Sequence, residues 1–267
     1  GDNSILKSLR LKNPKLVLLQ CCSNVADLKT IHPHMLRNHL FFDVFAASRL
    51  IAFCIDSTTN LLHYAIRVAS QIQNPNLFIY NALIRGCSTS ENPENSFHHY
   101  IKALRFGLLP DNITHPFLGK ACAHLENAPM GMQAHGQAIK HGFEQDFYVQ
   151  NSLVHMYATV GDTNAARSVF QRMCQFDVVS WTCMIAGYHR CRYAESAREL
   201  FDRMLERNLV TWSTMVSGYA RNNCFEKAVE MFEALRAERV VANEAVMVGV
   251  ISSCARLGAL AMGEKAH

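Results

Sequence analysis

The chain reads Asp177-Val178-Val179-Ser180-Trp181-Thr182-Cys183-Met184-Ile185-Ala186-Gly187-Tyr188 and then, one repeat later, Asn208-Leu209-Val210-Thr211-Trp212-Ser213-Thr214-Met215-Val216-Ser217-Gly218-Tyr219. Between the two copies lies an Ala-x3-Phe element, Ala197 with Phe201. The same element occurs at the same interval before it, as Ala166 with Phe170, and after it, as Ala228 with Phe232. Several residue types that recur in phase indicate stacked structural repeats rather than one globular core.

The length of the repeat varies along the chain. Outward from the two copies, 147–177 and 178–208 form two short repeats of equal length, while 77–111, 112–146 and 209–243 form three longer ones, also equal to each other. The array is therefore predicted to occupy residues 12–267. The remaining predicted segments are an N-terminal extension (1–11), a short first repeat (12–43), a repeat with extra residues near 56–60 (44–76) and a truncated last repeat (244–267).

Each repeat has the pattern of two helices. In the repeat 147–177, apolar residues from Val149 to Tyr157 recur at helical spacing. Gly161 interrupts this run, Asp162 or Thr163 can cap a second helix, and residues 165–173 continue with a second apolar stripe. No segment alternates apolar and polar residues for long enough to predict a sheet. A single helical hairpin cannot bury its apolar faces alone, so the pattern predicts an all-α solenoid of stacked hairpins.

Composition excludes several other classes. The 267 residues are 49% hydrophobic and 18% charged, which is too apolar for a disordered chain. No uninterrupted apolar run is long enough to predict a membrane span. The ten cysteines are scattered, which favours reduced and mostly buried thiols. The net charge of +4 is compatible with a polyanionic partner but indicates it only weakly. The missing initiator Met and the end within a predicted helix suggest a fragment or a processed product.

The repeats resemble those of plant pentatricopeptide repeat (PPR) proteins, specifically the PLS subclass that mixes long and short repeats. Two further segments carry the resemblance: 197–204, which ends a short repeat, and 112–123, which is similar to the start of that subclass's long repeat. The resemblance implies an all-α fold, a right-handed superhelical α-solenoid of helix-turn-helix repeats. Tetratricopeptide repeats share the Ala-x3-Phe element but have a different period and a different tryptophan position.

By resemblance, such an array binds single-stranded RNA with one base per repeat. Two polar residues of each repeat would contact the base, and an apolar residue near the start of the first helix would pack against it. The implied specificity pairs are Ser48 with Asn76, Asn81 with Asp111, Asn151 with Asp177, Thr182 with Asn208, and Ser213 with Asn243. The implied base-flanking residues are Phe45, Ile79, Tyr148, Val179 and Val210.

The resemblance also implies which bases are bound. Asn with Asp is similar to pairs that prefer uridine, and Thr or Ser with Asn to pairs that prefer adenosine. With the N-terminus toward the 5′ end of the RNA, the predicted core is A-U-n-U-A-A. The base n faces the repeat 112–146, where Pro116 has no side-chain donor. Leu16 and Val248 hold the matching places in the first and last repeats, to which no base is assigned.

The biological role is implied in the same way. A chain of this family would be the recognition part of a plant factor for C-to-U RNA editing or transcript processing, in the chloroplast or the mitochondrion. Its expected partners are organellar single-stranded RNA and, through long repeats such as 112–146, editing-factor proteins. No cofactor, metal or membrane contact is expected.

Two other interpretations of the polar residues remain open. Asp111, Asp177 and Asn208 all precede predicted helices, so they could serve only as helix caps. A solenoid can also be a scaffold that binds other proteins, and such a scaffold would not need consistent polar pairs. Trp181 and Trp212 are in phase with the repeat core, so they are expected to pack between helices rather than to stack on bases.

Signs of catalysis are few. His124-Leu125-Glu126 matches the His-x-Glu of zinc deaminases, but the Pro-Cys-x-x-Cys that supplies the other zinc ligands is missing. His98 and His99 are adjacent, so on a helix they would point to different sides. We therefore expect that this chain is not an enzyme and that any deaminase domain of the family lies outside it.

Overall fold

The computed structural model of the protein describes residues 43–56 and 61–258, together with the single positions 28, 33, 35 and 37. All regular secondary structure in this part of the chain is α-helical. The predicted extension (1–11), nearly all of the predicted first repeat (12–43), the insertion near 57–60 and the end of the truncated repeat (259–267) lie outside the described residues.

The described residues form thirteen helices, α1–α13. Two helices fall within each predicted repeat from 44–76 to 209–243, and α13 begins the truncated one. The helices are α1 (Val44–Asp56), α2 (Leu62–Ser70), α3 (Leu77–Ser88), α4 (Asn95–Arg105), α5 (Thr114–His124), α6 (Ala128–Lys140), α7 (Phe147–Val160), α8 (Thr163–Arg172), α9 (Val178–Arg190), α10 (Ala194–Arg203), α11 (Leu209–Arg221), α12 (Phe225–Ala237) and α13 (Glu244–Leu257).

The chain divides into two compact units, an N-terminal unit of residues 1–121 and a C-terminal unit of residues 122–267. In the N-terminal unit, α1 packs against α2 and α3, and α3 packs against α4. The core between them includes Leu50, Ile51 and Ile79, all fully buried. First helices of consecutive repeats thus contact each other, as a stack of hairpins requires.

The C-terminal unit shows the same stacking over more repeats. Its first helices α7, α9, α11 and α13 pack in sequence order, and α8, α10 and α12 each pack against the first helix of their own repeat. The small alanine of each Ala-x3-Phe element allows the two helices to approach, and the phenylalanine fills the space beside it. The buried residues of these elements are Ala166, Phe170, Ala197, Phe201, Ala228 and Phe232.

Glycine explains the close approach of α9 and α11. A Cβ atom on Gly218 would lie 2.3 Å from Cγ of His189, and one on Gly187 would lie 2.7 Å from Cβ of Ala158. These distances are too short for any larger side chain without movement of the helices. The Gly-Tyr pair at the end of each copied segment therefore serves packing, and the following tyrosines, Tyr188 and Tyr219, are buried.

Local capping sets the helix boundaries. Of the two predicted caps for α8, Asp162 is the one observed: its Oδ1 accepts from the backbone N–H of Ala165 at 2.9 Å. Gly161 ends α7 in the left-handed region with φ of 88°, a conformation that glycine adopts at little cost. In the longer repeat 77–111, α4 ends at Arg105, and Gly107 has φ of 72°.

The tryptophans pack as expected. Trp212 is buried with its ring 4.8 Å from that of Phe201, and the Trp181 ring lies 5.1 Å from that of Phe170. Among the described residues, no helix has both the length and the apolar character needed to cross a membrane. The described cysteines are all free thiols, and those that are buried are Cys54, Cys87, Cys122 and Cys254.

Candidate nucleic-acid interface

The second residue of every predicted specificity pair caps the first helix of the next repeat. In each case a side-chain oxygen accepts from the backbone N–H three residues later, which satisfies one of the unpaired donors of the helix start. All five residues are therefore helix caps. The bonds are Asn76 to Ile79 (3.0 Å), Asp111 to Thr114 (2.9 Å), Asp177 to Ser180 (2.8 Å), Asn208 to Thr211 (3.0 Å) and Asn243 to Val246 (3.0 Å).

Capping does not use the whole side chain, and three of the predicted pairs are also in direct contact. In the N-terminal unit, Nδ2 of Asn81 donates to both carboxylate oxygens of Asp111, at 3.0 and 3.2 Å.

The other two direct pairs lie in the C-terminal unit. Nδ2 of Asn151 lies 3.5 and 3.4 Å from the two carboxylate oxygens of Asp177. The hydroxyl oxygen of Ser213 lies 3.1 Å from Oδ1 of Asn243 and 2.8 Å from the Leu209 carbonyl oxygen of its own helix, and it can donate its hydrogen to either. Residues that are far apart in sequence are thus brought together by the stacking of consecutive repeats.

Thr182 and Asn208 meet through a third residue. The Thr182 and Thr211 hydroxyl oxygens are 3.1 Å apart, and the Thr211 hydroxyl donates to Oδ1 of Asn208 at 3.1 Å. The single hydroxyl hydrogen of Thr182 can be donated either to Thr211 or to the Val178 carbonyl of its own helix, 2.6 Å away.

The fifth pair is not joined. Ser48 is buried, and its hydroxyl donates to the Val44 carbonyl at 2.6 Å. Within the described residues of the N-terminal unit, the structure gives no hydrogen bond between Ser48 and Asn76. The pairs are thus unequal: three are in contact, one is linked by a hydroxyl group, and one is separate.

Sequence reasoning missed the linking hydroxyl groups. Thr211 joins Thr182 to Asn208, and Thr114 joins Asn81 to Asp111, with Oγ1 of Thr114 2.7 Å from Oδ1 of Asn81 and 2.9 Å from Oδ1 of Asp111. A hydroxyl residue three positions after a helix cap is a known sequence signal for a local capping interaction. Nothing in the sequence indicates that the same hydroxyl also contacts the preceding repeat.

The predicted base-flanking residues need one correction. Phe45, Tyr148, Val179 and Val210 are 46–67% exposed in the first turns of their helices, although they are apolar or aromatic. Ile79 is fully buried in the core and cannot contact a ligand. The exposed residue at the equivalent place is Phe78, 53% exposed. Phe45, Tyr148, Val179 and Val210 are each the second residue of a repeat, and Phe78 holds that place after Leu77, so the repeat register already favours Phe78.

The residues that hold the specificity position in repeats without an assigned base differ from the polar residues of the pairs. Pro116 lies in the first turn of α5, where its missing N–H is tolerated, and its side chain is half-buried. Val248 on α13 is 60% exposed and offers no polar group. Leu16 lies outside the described residues.

A groove in the C-terminal unit adjoins Thr182. It encloses about 470 Å³ and is formed by α7, α9 and α11. Its charged lining residues are all basic: Arg190, Arg192 and Arg221. A groove lined by one sign of charge attracts a ligand of the opposite sign. Although the net charge of the chain is small, the surface beside the predicted specificity residue Thr182 is locally positive.

Two titratable groups that line this groove, His189 and Cys183, add no charge to it at neutral pH. Burial lowers the pKa of His189 to about 4, with a further contribution from Arg221. Burial raises the pKa of the Cys183 thiol to about 11, and the Asp177 carboxylate adds to the effect. The positive charge of the groove therefore comes from its arginines.

In the His124-Leu125-Glu126 segment, the glutamate takes part in an ion pair. Glu126 has φ of 49° and forms an ion pair with Arg190, from the end of α9. Both side chains are largely exposed, where such a pair contributes little to stability. His98 is exposed and His99 is buried, as expected for adjacent residues of one helix.

The stacked hairpins and their capping pairs define a helical-repeat protein of the α-solenoid class. The family model for the PPR repeat matches three consecutive segments of the C-terminal unit, 151–178, 179–209 and 210–240. Each segment begins shortly after a predicted repeat start, at 147, 178 and 209 respectively. The chain therefore carries pentatricopeptide repeats.

Curated relatives support this identification along the whole chain. Pentatricopeptide repeat-containing protein At5g06540 of Arabidopsis thaliana is 57% identical over 271 residues, which cover 100% of this chain and 44% of the relative. Two other Arabidopsis PPR proteins are mitochondrial At2g22410, 36% identical over 97% of this chain and 34% of the relative, and chloroplastic At1g08070, 44% identical over 96% of this chain and 34% of the relative. The chain thus spans less than half the length of these relatives. The names of At2g22410 and At1g08070 agree with the expected plant organelle, chloroplast or mitochondrion.

The fold has a counterpart among solved structures. The pentatricopeptide repeat protein PPR10 from maize superposes with a TM-score of 0.70 over 100% of this chain and 43% of its own. Sequence identity is 17%, so this similarity concerns the fold alone. It confirms the predicted all-α solenoid class.

Proposed function

We propose that this chain binds single-stranded RNA sequence-specifically, one base per repeat, through the polar pairs at the starts of its first helices. The observation that carries the proposal is the contact between polar residues of consecutive repeats, as in Asn151 with Asp177 and Ser213 with Asn243. In each pair, capping fixes one side-chain oxygen and thereby determines which polar group is left for a ligand.

An asparagine cap leaves a donor. Oδ1 of Asn208 accepts from the backbone N–H of Thr211 and from its hydroxyl, so Nδ2 is the group that can face a base. Adenine has an acceptor, N1, at the centre of its Watson–Crick edge, whereas guanine has a donor there. Asn208 and Asn243 therefore favour adenosine over guanosine. The hydroxyls of Thr182 and Ser213 can accept from the adenine amino group.

An aspartate cap leaves only acceptors. Asp177 can accept from N3–H of uracil, but it has no hydrogen to donate to N3 of cytosine. The second amide hydrogen of Asn151 can donate to a uracil carbonyl. The pairs Asn151 with Asp177 and Asn81 with Asp111 therefore favour uridine.

Two further features support RNA as the ligand. Tyr148, Val179 and Val210 are exposed beside the pairs and offer surfaces for base stacking and apolar contact, which is how single-stranded RNA is commonly held. The groove that contains Thr182 is lined by arginines, which attract phosphates. Both features suit a flexible polyanion with accessible bases. The maize protein of similar fold has also been solved in complex with an 18-nt psaJ RNA element.

The proposed sequence follows the order of the repeats. The N-terminal unit would bind A and U, followed by an unassigned base at Pro116, and the C-terminal unit would bind U, A and A. The complete core is A-U-n-U-A-A from 5′ to 3′. The separation of Ser48 from Asn76 makes the first adenosine the weakest assignment of the set.

The biological proposal is a recognition segment of an organellar RNA editing or processing factor of the PLS subclass. It is supported by the mixture of shorter and longer repeats along the chain and by the organellar names of the relatives. The chain itself would not catalyse the reaction. Editing-factor proteins would bind at the long repeats.

A gel-shift experiment tests the proposed function. The wild-type chain should bind a strand that contains A-U-n-U-A-A more tightly than a scrambled strand of equal composition. The double variant Asn151→Ala/Asp177→Ala should lose preference only at the fourth base. Equal binding of both strands by the wild-type chain would contradict the proposal and would favour the scaffold interpretation.

A further inference from the structure

We propose that Thr211 and Thr114 are positioning residues that set base selectivity for the preceding repeat, although they belong to the next one. This inference rests on the proposed function and deepens it. The repeats 77–111 and 178–208 would then each use three residues, the two of the predicted pair and a buried hydroxyl that joins them. The pair alone would not determine how well the correct base is distinguished.

The contacts of Thr211 carry the inference. Its side chain is fully buried, and its hydroxyl lies 3.1 Å from Oγ1 of Thr182 and 3.1 Å from Oδ1 of Asn208. The buried hydroxyl hydrogen of Thr211 would have no acceptor if it turned away from these neighbours, so the hydroxyl is held between them. Thr211 therefore holds both members of the pair at once.

Hydrogen counting shows what Thr211 controls. The hydroxyl of Thr211 can donate to Oδ1 of Asn208, which then accepts two hydrogen bonds, the other from the backbone N–H of Thr211. Rotation of this carboxamide to present its oxygen to a base would break both bonds. Because guanine needs an acceptor where adenine needs a donor, fixing the carboxamide raises selectivity for adenosine.

Thr114 has the equivalent place in the N-terminal unit. Its hydroxyl lies 2.7 Å from Oδ1 of Asn81 and 2.9 Å from Oδ1 of Asp111, and it accepts from the backbone N–H of Asp111 at 3.2 Å. It is almost fully buried. The oxygen of the Asn81 carboxamide is thereby directed toward Thr114, and its Nδ2 toward Asp111.

Other repeats of the same chain lack this link and provide the contrast. The residue equivalent to Thr211 after Asn243 is Val246, and there Ser213 bonds to Asn243 directly. Ser180 bonds only to Asp177, and Oδ1 of Asn151 is buried without a hydrogen-bond partner among the described residues. The three-residue arrangement is therefore a property of particular repeats.

The test compares Thr211→Val with Thr211→Ser in the full chain. Competition binding measures the preference for A over G at the fifth base of A-U-n-U-A-A, which faces Thr182 and Asn208. Thr211→Val keeps the backbone cap but removes the hydroxyl, and it should reduce this preference by about three- to tenfold, the effect of one lost hydrogen bond. Thr211→Ser restores the hydroxyl and should keep the wild-type preference.

Two internal controls separate positioning from general damage. The preference for A over G at the sixth base, which faces Ser213 and Asn243, should be unchanged in Thr211→Val. Ser168→Ala removes an exposed hydroxyl on α8, outside the groove beside Thr182, and should leave the preference at the fifth base unchanged. A thermal melt of each variant shows whether the fold is retained.

The outcomes distinguish the two proposals. If the wild-type chain prefers the predicted strand and Thr211→Val discriminates A from G as well as the wild type, the positioning role is wrong while the proposed function stands. If Thr211→Val weakens selectivity equally at the fifth and sixth bases, its effect is on the fold and the positioning role is also wrong. If the wild-type chain has no preference at any base, the proposed function fails.

Discussion

At the scale of single residues, the central feature is that one side chain serves both the fold and the proposed recognition. Asn208 caps α11 through Oδ1, and this bond leaves Nδ2 for a ligand. Asp177 caps α9 through Oδ1 in the same way, with only acceptors remaining. Because Asn and Asp are about equally good caps, exchange between them can alter recognition without a large effect on stability.

The separation of capping from recognition can be measured by thermal unfolding. Asp162 caps α8 but belongs to no pair, and Asp162→Ala should lower stability by about 0.5–2 kcal/mol, the usual effect of a lost cap. Asn208→Asp should leave the melting temperature nearly unchanged. An equal loss of stability in both variants would show that the amide of Asn208 is needed for the fold.

His189 should make stability depend on pH. Its pKa is lowered to about 4 by burial and by Arg221, while an unfolded histidine has a pKa of about 6.5. Between these values the unfolded chain binds more protons, so stability is complete above about pH 6.5 and falls as the pH decreases toward 4. Melting temperatures across this range should decrease less steeply in His189→Gln. Parallel curves for the two proteins would contradict this assignment.

At the scale of helices, close packing between first helices depends on glycine. Gly218 and Gly187 lie where any Cβ would collide with the neighbouring first helix, at His189 and Ala158 respectively. Gly136 on α6 has no atom within 4 Å of the equivalent position. The same substitution should therefore have opposite effects at Gly218 and at Gly136.

Gly218→Ala should destabilise the C-terminal unit by about 1–3 kcal/mol, because the helices must separate or the His189 ring must move. Gly136→Ala should stabilise its helix by about 0.5–1 kcal/mol, since alanine is the better helix former. Denaturant unfolding of both variants provides the comparison. An unchanged Gly218→Ala variant would mean that the α9–α11 contact adjusts easily.

Much of the helical architecture could be predicted from local signals. Asp146, Asp177, Asn208 and Asn243 each cap a helix that the repeat pattern places directly after them. Gly161 ends α7 where the apolar periodicity ends. These features depend on neighbouring residues alone, which is why periodicity and capping rules identify them.

Contacts between repeats were harder to predict. The base-flanking prediction of Ile79 was one position out of register, because the second residue of the repeat 77–111 is Phe78, and Phe78 is the exposed one. The role of Thr211 depends on a contact with Thr182, in the preceding repeat, that exists only after the helices stack. The resemblance to PPR repeats implied which residues form pairs, but it did not predict how the members of each pair are linked.

At the scale of the whole molecule, charge is local rather than general. The net charge is +4, yet the groove beside Thr182 has only basic residues among its charged lining. Arg221 lines this groove, and Arg167 on α8 does not. If the groove holds phosphates, the salt dependence of RNA binding should depend on Arg221 and not on Arg167.

Measurement of the dissociation constant at several salt concentrations tests this expectation. Arg221→Gln should reduce the slope of log affinity against log salt by roughly 0.7, the value for one phosphate contact to a single strand. Arg167→Gln removes the same charge and should leave the slope unchanged. Equal slopes for Arg221→Gln and Arg167→Gln would show that Arg221 does not contact an RNA phosphate.

The most direct test of the account is a compensating exchange at one pair. Asp177→Asn retains the cap of α9 but replaces an acceptor with a donor, which suits N3 of cytosine instead of N3–H of uracil. The wild-type chain should bind A-U-n-U-A-A better than A-U-n-C-A-A, and Asp177→Asn should reverse this order at equal stability. The same order of affinities in both proteins would contradict base recognition by the capping pairs.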